Sequence, residues 1–198
     1  VQEGRESKRI FVFDPTRANP LGVEHYRSVF QILKDAKIEP YVTLFHFDLP
    51  SVLEREHKGW LGGGSASGGD NDDNDSDVTV RAFASYAEFC FKTFGDSDSN
   101  SDSDGAPLVR HWITLNEPHT TATAGYMYGV SAPGRCSNRS LCEEGDNAVE
   151  PYIAGHNLLR AHGKAMEAYR RVIRDKETSS ISMVVSGDWT EPFGGPGS

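Results

Sequence analysis

Apolar residues in this chain follow two patterns, helical spacing and short continuous runs. Spacing of three and four residues predicts three amphipathic helices, in residues 22–37, 80–94 and 150–175. Runs without a polar face are typical of strands buried on both sides, and they fill residues 41–45, 108–115 and 181–185. A further short strand could occupy residues 10–13. The alternation of helix and strand predicts consecutive βα units around a parallel sheet.

Each of the three runs ends in polar residues followed by a proline, in the stretches 46–50, 116–118 and 188–192. Proline cannot donate to a sheet ladder, so each strand must stop there. The carboxyl edge of a parallel α/β barrel is where the chemistry lies. An isolated glutamate after a strand usually belongs to an exposed polar turn. Here the same arrangement of polar residues and proline follows three strands, which favours Asn116 and Glu117 as functional residues. A lone histidine such as His46 is more often structural.

The composition excludes several classes of protein. Hydrophobic residues make up 37% of the 198 residues and aromatic residues 10%, which is typical of a globular chain. The net charge of −9 comes from nine aspartates in two low-complexity inserts, residues 62–77 and 96–107; the remaining 20 acidic residues equal the 20 Lys and Arg. A basic face for nucleic acid is therefore not indicated. No apolar run approaches the roughly 20 residues of a membrane span.

The acidic inserts contain fragments of calcium-loop patterns. Asp70 begins an Asp-x-Asp-x-Asn sequence, but Asp75 and Arg81 stand where the loop needs Gly and Glu. A loop counted from Asn100 ends at His111 rather than Glu. We therefore predict solvated, disordered inserts. Neither a metal ion nor a cofactor is expected.

Residues 119–149 form a long connection with several Gly and Pro, and connections of this length in a compact fold are usually functional. Cys136 and Cys142 could close a small disulfide loop in an oxidising compartment. Asn138 begins an Asn-Arg-Ser glycosylation sequon within that loop. Together these signals favour a secretory, vacuolar or extracellular location. Cys90 lies beside a helical stripe and is interpreted as a small buried hydrophobe.

Five ordered stretches resemble glycoside hydrolase family 1, the retaining β-glucosidases. They read YVTLFHFDLP at 41–50, TLNEP at 114–118, APGR at 132–135, EPY at 150–152 with HN at 156–157, and WTEP at 189–192. The resemblance covers about residues 20–193 outside the inserts. It implies that residues 1–198 form an incomplete (β/α)8 TIM barrel in the α/β class, spanning about the third to fifth strands with their helices.

The resemblance also implies roles for individual residues. Glu117 would be the general acid/base, Asn116 would hold the sugar 2-hydroxyl, and His46 would contact the hydroxyls of the glycone. The connection 119–149 would border the aglycone. His119 stands where the family often has Trp, and a polar ring there would alter the aglycone surface.

Retaining hydrolysis needs two carboxyl groups, an acid/base and a nucleophile roughly 5–5.5 Å away. The family's nucleophile lies in a Thr-Glu-Asn-Gly motif near the seventh strand, and this chain contains no such motif. Glu191 belongs to a different motif. The chain begins at Val1, without an initiator Met or a signal peptide. We therefore expect a fragment of a longer β-glucosidase-type hydrolase, inactive by itself.

Two alternative functions would use the same fold. A non-catalytic carbohydrate-binding or interaction protein would have no reason to keep Glu117. A thioglucosidase would carry Gln in its place. The expected partner is a β-glucoside or a related carbohydrate, with no nucleic acid and no membrane span. The sequence does not select the sugar, the aglycone or the oligomeric state.

Overall fold

The computed structural model describes residues 14–62, 78–96, 106–191 and 193–194. The strand predicted at residues 10–13 lies outside this part, as does nearly all of the two predicted inserts. The interpretations of the inserts, both as disordered segments and as calcium loops, therefore stay predictions.

Three strands and five helices are seen in the described residues. The strands are β1 (Tyr41–Phe45), β2 (His111–Asn116) and β3 (Ser180–Val184). The helices are α1 (Pro20–Asp35), α2 (Ser51–His57), α3 (Val78–Cys90), α4 (Pro118–Thr120) and α5 (Glu150–Val172). α3 continues into a π-helical turn at Phe91–Gly95, and α4 into another at Thr121–Gly125. Short 3-10 turns occupy Pro15–Arg17 and Gly59–Leu61.

The strands form one parallel sheet in the order β1-β2-β3. Its first row aligns Tyr41 with His111 and His111 with Ser180. The predicted alternation of helices and parallel strands is confirmed. The described residues form an open α/β sheet with helices, and this sheet does not close into a barrel.

The core lies on one face of the sheet, under α3 and α5. The Phe91 ring packs edge-on against Trp112 and Tyr169, with centroids 5.0 and 5.6 Å apart. Leu158 of α5 and Ala87 of α3 are fully buried in the same cluster. The predicted apolar stripes of α3 and α5 therefore meet the sheet as expected.

The opposite face is partly open at its amino-terminal row. Tyr41 is 67% exposed, and its ring stacks on His111 at 4.5 Å. The prediction that residues 41–45 are buried on both faces is therefore wrong at Tyr41, because the amino-terminal row of this face is uncovered: His111 is only half-buried and Ser180 is exposed. The apolar stripe of α1 differs in the same way, since Tyr26 is exposed whereas Phe30 is buried.

Several predicted boundaries move in the structure. The strand predicted at 108–115 begins only at His111, because the amides of Leu108 and Val109 both donate to the Phe94 carbonyl. α1 begins at Pro20, where Asn19 Oδ1 caps the amide of Leu21 at 3.0 Å. α5 ends three residues before the predicted end. The predicted connection 119–149 begins as helix α4 and its π-helical turn.

Candidate active site

The carboxyl ends of the strands bring the predicted polar residues to one edge of the sheet. Phe45 of β1 pairs with Leu115 of β2, so His46 and Asn116 leave the sheet at the same level. Asn116 itself aligns with Val184 of β3, after an irregularity in the register. Parallel pairing therefore places the residues after β1 beside those after β2.

His46 lies in a tight turn at the end of β1. Its amide donates to Asp48 Oδ1 at 2.8 Å, and its exposed ring contacts Phe47 edge-on at 5.1 Å. Phe47 has a φ of +64°, a left-handed conformation that is uncommon for a bulky residue. Asp48 thus holds the backbone of the turn, and the His46 ring stays open at the sheet edge.

The backbone of Glu117 is fixed on both sides. Its amide donates to the Val184 carbonyl at 2.9 Å, and its carbonyl accepts from the Thr121 amide at 3.0 Å. Glu117 is the N-cap of α4, with φ +45° and ψ 65°. A left-handed glutamate is strained, and such residues persist where the surrounding structure holds them. Here Pro118 begins the helix directly behind it.

The Glu117 carboxylate is half-buried and accepts a hydrogen bond from Thr120. Thr120 Oγ1 donates to Glu117 Oε2 at 2.9 Å. Thr120 was not among the residues predicted from the sequence. Its position three residues after the N-cap could have revealed it, because side chains at the N-cap and N3 positions of a helix commonly meet.

A cavity of about 240 Å³ opens beside Thr120. Its walls come from the turn after β1, from α2 and the Trp60 turn, and from the connection near Pro133. The one carboxylate in this lining is Glu54. Burial raises the pKa of Glu54, while the nearby Arg135 charge acts to lower it. The cavity is therefore mainly apolar, with one carboxyl group that burial favours in its neutral form.

Arg135 anchors the connection to the start of α5. Its Nε and Nη2 donate to the two carboxylate oxygens of Glu150 at 2.9 and 2.7 Å. Its Nη1 donates to Glu144 at 2.9 Å. The hydrogen bond to Glu150 is the main cause that raises the pKa of Arg135, and the bond from Arg135 lowers the pKa of Glu144. A bidentate pair of this kind fixes direction as well as distance.

The next part of the connection is a small closed loop. The sulfur atoms of Cys136 and Cys142 are bonded at 2.08 Å. The guanidinium of Arg139 donates to the carbonyls of Cys136 and Gly145. Asn138 is exposed on the outside of the loop, where its Oδ1 accepts from the Ser140 amide and hydroxyl. The sequon thus lies on the surface.

Trp60 lies beneath this connection. The side chain is 1% exposed and belongs to the buried core. Its amide donates to Tyr126 Oη at 2.9 Å, and its carbonyl accepts from Asn157 Nδ2 at 2.8 Å. Two buried hydrogen bonds therefore tie the Trp60 turn to the connection and to α5.

His119 lies on a different surface from this cavity. It is exposed and lines a groove of about 650 Å³ between α4, α5 and β3, together with Tyr152, His156 and Val185. The stretch after β3 is also exposed. Trp189 is 84% exposed, and its Nε1 donates to Glu191 Oε1 at 2.7 Å.

Two other features are absent from the residues that the structure describes. Within them, no group of three or more His, Cys, Asp or Glu side chains is arranged to hold a metal ion. Within the same ranges, no helix has the length and apolar character needed to cross a membrane.

Comparison with known proteins decides the family. The sequence profile of glycosyl hydrolase family 1 matches residues 8–196. The chain belongs to glycosyl hydrolase family 1. Beta-glucosidase 25 of Oryza sativa subsp. japonica is 40% identical over 187 residues, which is 93% of this chain and 32% of that protein.

Solved structures of family 1 enzymes agree with this placement. A rice β-glucosidase is similar with a TM-score of 0.72 and 38% identity, covering 88% of this chain and 32% of the rice chain. A β-glucosidase of the fungus Humicola insolens, solved in complex with glucose, has a TM-score of 0.70 and 35% identity over 89% of this chain and 32% of its own. The chain therefore spans about a third of the length of these family 1 relatives.

Proposed function

We propose that this chain is the acid/base portion of a β-glucosidase that cleaves O-glycosidic bonds with retention of configuration. The observation that carries the proposal is the placement of Glu117. In a chain of glycosyl hydrolase family 1, this glutamate is half-buried at the carboxyl end of β2, directly after Asn116.

The chemistry suits this position. A carboxylic acid protonates the oxygen of the leaving group, and the resulting carboxylate later takes a proton from the attacking water. Because the Glu117 carboxyl is only half-buried, it can reach a glycosidic oxygen that enters from the solvent side. The hydroxyl of Thr120 already holds one of its two oxygens.

Asn116 and His46 would bind the sugar. An amide beside the acid can hydrogen-bond the 2-hydroxyl more strongly as charge develops on the ring. His46 leaves the sheet at the same level as Asn116, and its ring is exposed. We assign the apolar cavity beside Thr120 to the aglycone. His119 would meet an aglycone only where it extends over α4, because it lies in a separate groove.

The catalytic nucleophile would be encoded outside this chain. We assign β1, β2 and β3 to about the third, fourth and fifth strands of a (β/α)8 barrel. The relatives are about three times as long as this chain, which leaves ample sequence for the remaining strands. The chain alone would then not turn over a glucoside by double displacement.

The test is to express the longer protein and measure hydrolysis of an alkyl β-glucoside, whose leaving group needs protonation. We expect Glu117→Gln to lower kcat/KM by about 10²–10⁴-fold, the usual contribution of a general acid/base. Glu143→Gln is the matched control, because Glu143 is an exposed glutamate of the connection. NMR of the first sugar product should show the β-anomer. A longer protein that binds glucosides without hydrolysing them would be the non-catalytic alternative.

We also propose that the connection matures in an oxidising compartment, with the Cys136–Cys142 disulfide closed and a glycan on Asn138. A secretory host should deliver a chain whose mass falls on treatment with a peptide N-glycosidase. Asn138→Gln should remove that mass change, whereas Asn74→Gln tests a second Asn-x-Ser sequence at residues 74–76. An oxidised, secreted chain with an unmodified Asn138 would refute the assignment.

A further inference from the structure

The helix that follows Glu117 contains three threonines whose hydroxyls have different partners. Thr121 Oγ1 donates to the Glu117 carbonyl at 3.3 Å, and Thr123 Oγ1 donates to the His119 carbonyl at 2.9 Å. Both bonds run to the carbonyl four residues earlier, which is a common pattern for Ser and Thr in helices. Thr120 departs from it, because its hydroxyl donates to the side chain of Glu117.

We propose that Thr120 is a positioning residue for Glu117, holding the carboxyl so that one particular oxygen meets the substrate. This proposal rests on the proposed function of Glu117 as acid/base. Thr120 Oγ1 donates to Oε2 at 2.9 Å, so Oε2 is engaged on the protein side. Oε1 is then the oxygen directed to the glycosidic bond.

The direction of this hydrogen bond also places the proton. A hydroxyl hydrogen needs a lone pair, and the carbonyl oxygen of a neutral carboxyl group supplies one. When Glu117 is in its acid form, Oε2 is therefore the carbonyl oxygen and the proton lies on Oε1. That proton passes to the glycosidic oxygen as the bond to the sugar breaks, and the proton of the attacking water returns to Oε1.

The environment of Thr120 favours one fixed orientation of its hydroxyl group. Thr120 is half-buried and lies in the first turn of α4, behind the strained N-cap. Its Oγ1 lies 3.4 Å from Ser186 Oγ, just after β3. Because the Thr120 hydrogen is used on Glu117, any bond between these hydroxyls must be donated by Ser186. A hydrogen bond from Ser186 would thus help to keep the Thr120 hydroxyl pointed at the Glu117 carboxylate.

The first test uses the 198-residue chain, labelled with carbon-13 at the glutamate side-chain carboxyl. The Glu117 resonance is assigned as the one lost in Glu117→Gln. At neutral pH, Thr120→Val should move this resonance, because the carboxylate loses its donor. Thr120→Ser should restore it. Thr123→Val is the matched control, since it makes the same change on the same helical segment without touching Glu117.

An unmoved Glu117 resonance in Thr120→Val would overturn the proposal. An equal movement in Thr123→Val would overturn it too, because the effect would then come from the helix as a whole.

The second test uses the longer protein and two substrates that need acid catalysis to different degrees. An alkyl glucoside has a poor leaving group and depends on protonation, whereas a dinitrophenyl glucoside departs with little help. Thr120→Val should lower kcat/KM about tenfold for the alkyl glucoside and less than about twofold for the dinitrophenyl glucoside. Thr120→Ser should recover most of the loss.

The kinetic outcomes separate this proposal from the proposed function. An equal loss on both substrates would indicate a merely structural role for Thr120 and overturn the positioning role. If the unaltered longer protein hydrolyses neither substrate, the proposed function fails. The carboxyl resonance of Glu117 would still decide whether Thr120 holds its side chain.

Discussion

The ends of β2 and β3 both present a glutamate near a proline, but the structure holds the two very differently. Glu117 is tied by its amide to β3, by its carbonyl to the helix that follows, and by its carboxylate to Thr120. Glu191 is exposed and accepts its hydrogen bond from Trp189, two residues earlier in the same segment. The difference follows from position, since β2 has a strand on each side and β3 lies at an edge.

The segments that follow these strands differ in the same way. After β2, the connection is joined to α5 by Arg135 and Glu150, and to the Trp60 turn by Tyr126. After β3, Val185 and Trp189 are largely exposed. The conformation of a segment after a strand is thus fixed by the elements that pack around it. Variants on the two sides should therefore change stability by very different amounts.

The largest effect is expected for Arg135→Ala. The change leaves the Glu150 carboxylate, whose side chain is 14% exposed, without its bidentate partner. Removing one member of a buried ion pair costs about 3–5 kcal/mol, and the remaining exposure reduces this to about 2–3 kcal/mol. Urea unfolding of the chain measures it. Lys58→Ala is the control, because the exposed Lys58–Glu144 pair should contribute less than about 1 kcal/mol. Equal losses would contradict the anchoring role of Arg135.

A slightly smaller loss is expected when the disulfide is removed. Cys136 and Cys142 are six residues apart, and closing a loop of this size restricts the unfolded chain by about 2 kcal/mol. Cys136→Ser combined with Cys142→Ser should lower the free energy of unfolding by that amount. The reduced wild-type chain should match the double variant, and a reduced chain as stable as the oxidised one would contradict the prediction.

A pH-dependent effect is expected where α5 meets β2 and β3. His162 Nδ1 lies 2.8 Å from Thr114 Oγ1, which donates to the Ser182 carbonyl. Burial lowers the pKa of His162 from its ordinary 6.5. The unfolded chain therefore binds this proton more readily, and stability is lost as the pH falls below about 6.5. His162→Asn keeps a donor at this position and should flatten the stability curve between pH 7 and 5. Parallel curves for variant and wild type would contradict the shift.

The smallest effect is expected for Trp189→Ala. The indole is 84% exposed, so little apolar surface returns to water when it is removed. Surface changes of this kind usually stay within about 0.5 kcal/mol. The same urea titration tests this, and a loss comparable to that of Arg135→Ala would mean that the end of β3 is as firmly held as the end of β2.

The spacing of apolar residues predicted the helices and strands, because it reflects which face of each element is buried. The stripe of α5 and the run 181–185 identified their elements to within a few residues, since one face of the helix is buried and Ile181 and Met183 pack against the core. Val185 is 70% exposed, so the predicted burial of this run on both faces is wrong there. Leu108 and Val109 were placed in β2 because they are as apolar as a strand, yet their amides bond to Phe94. Apolar character predicts burial, and only tertiary contacts decide which backbone partner a buried residue takes.

The sequence predicted where Asn116 and Glu117 lie in the fold, and their chemical roles are proposals. Asn116 ends β2, Glu117 follows it directly before a proline, and the structure places both at the sheet edge. Arg135 appeared only within the APGR motif and was given no role, and Thr120 was not predicted to take part, because neither residue alone has a distinctive local signal. Arg135 bonds to Glu150, which is 15 residues away in the sequence. Thr120 bonds to Glu117, which lies one helical turn before it.

The loop closed by Cys136 and Cys142 is built around a charged group rather than around apolar side chains. Arg139 gathers backbone carbonyls from both sides of the loop, and backbone carbonyls are present whatever side chains surround them. The outward residues Asn138 and Leu141 are exposed. The side chain of Leu141 can therefore change without disturbing the contacts that Arg139 makes with the backbone, while Arg135 holds the base of the connection to α5.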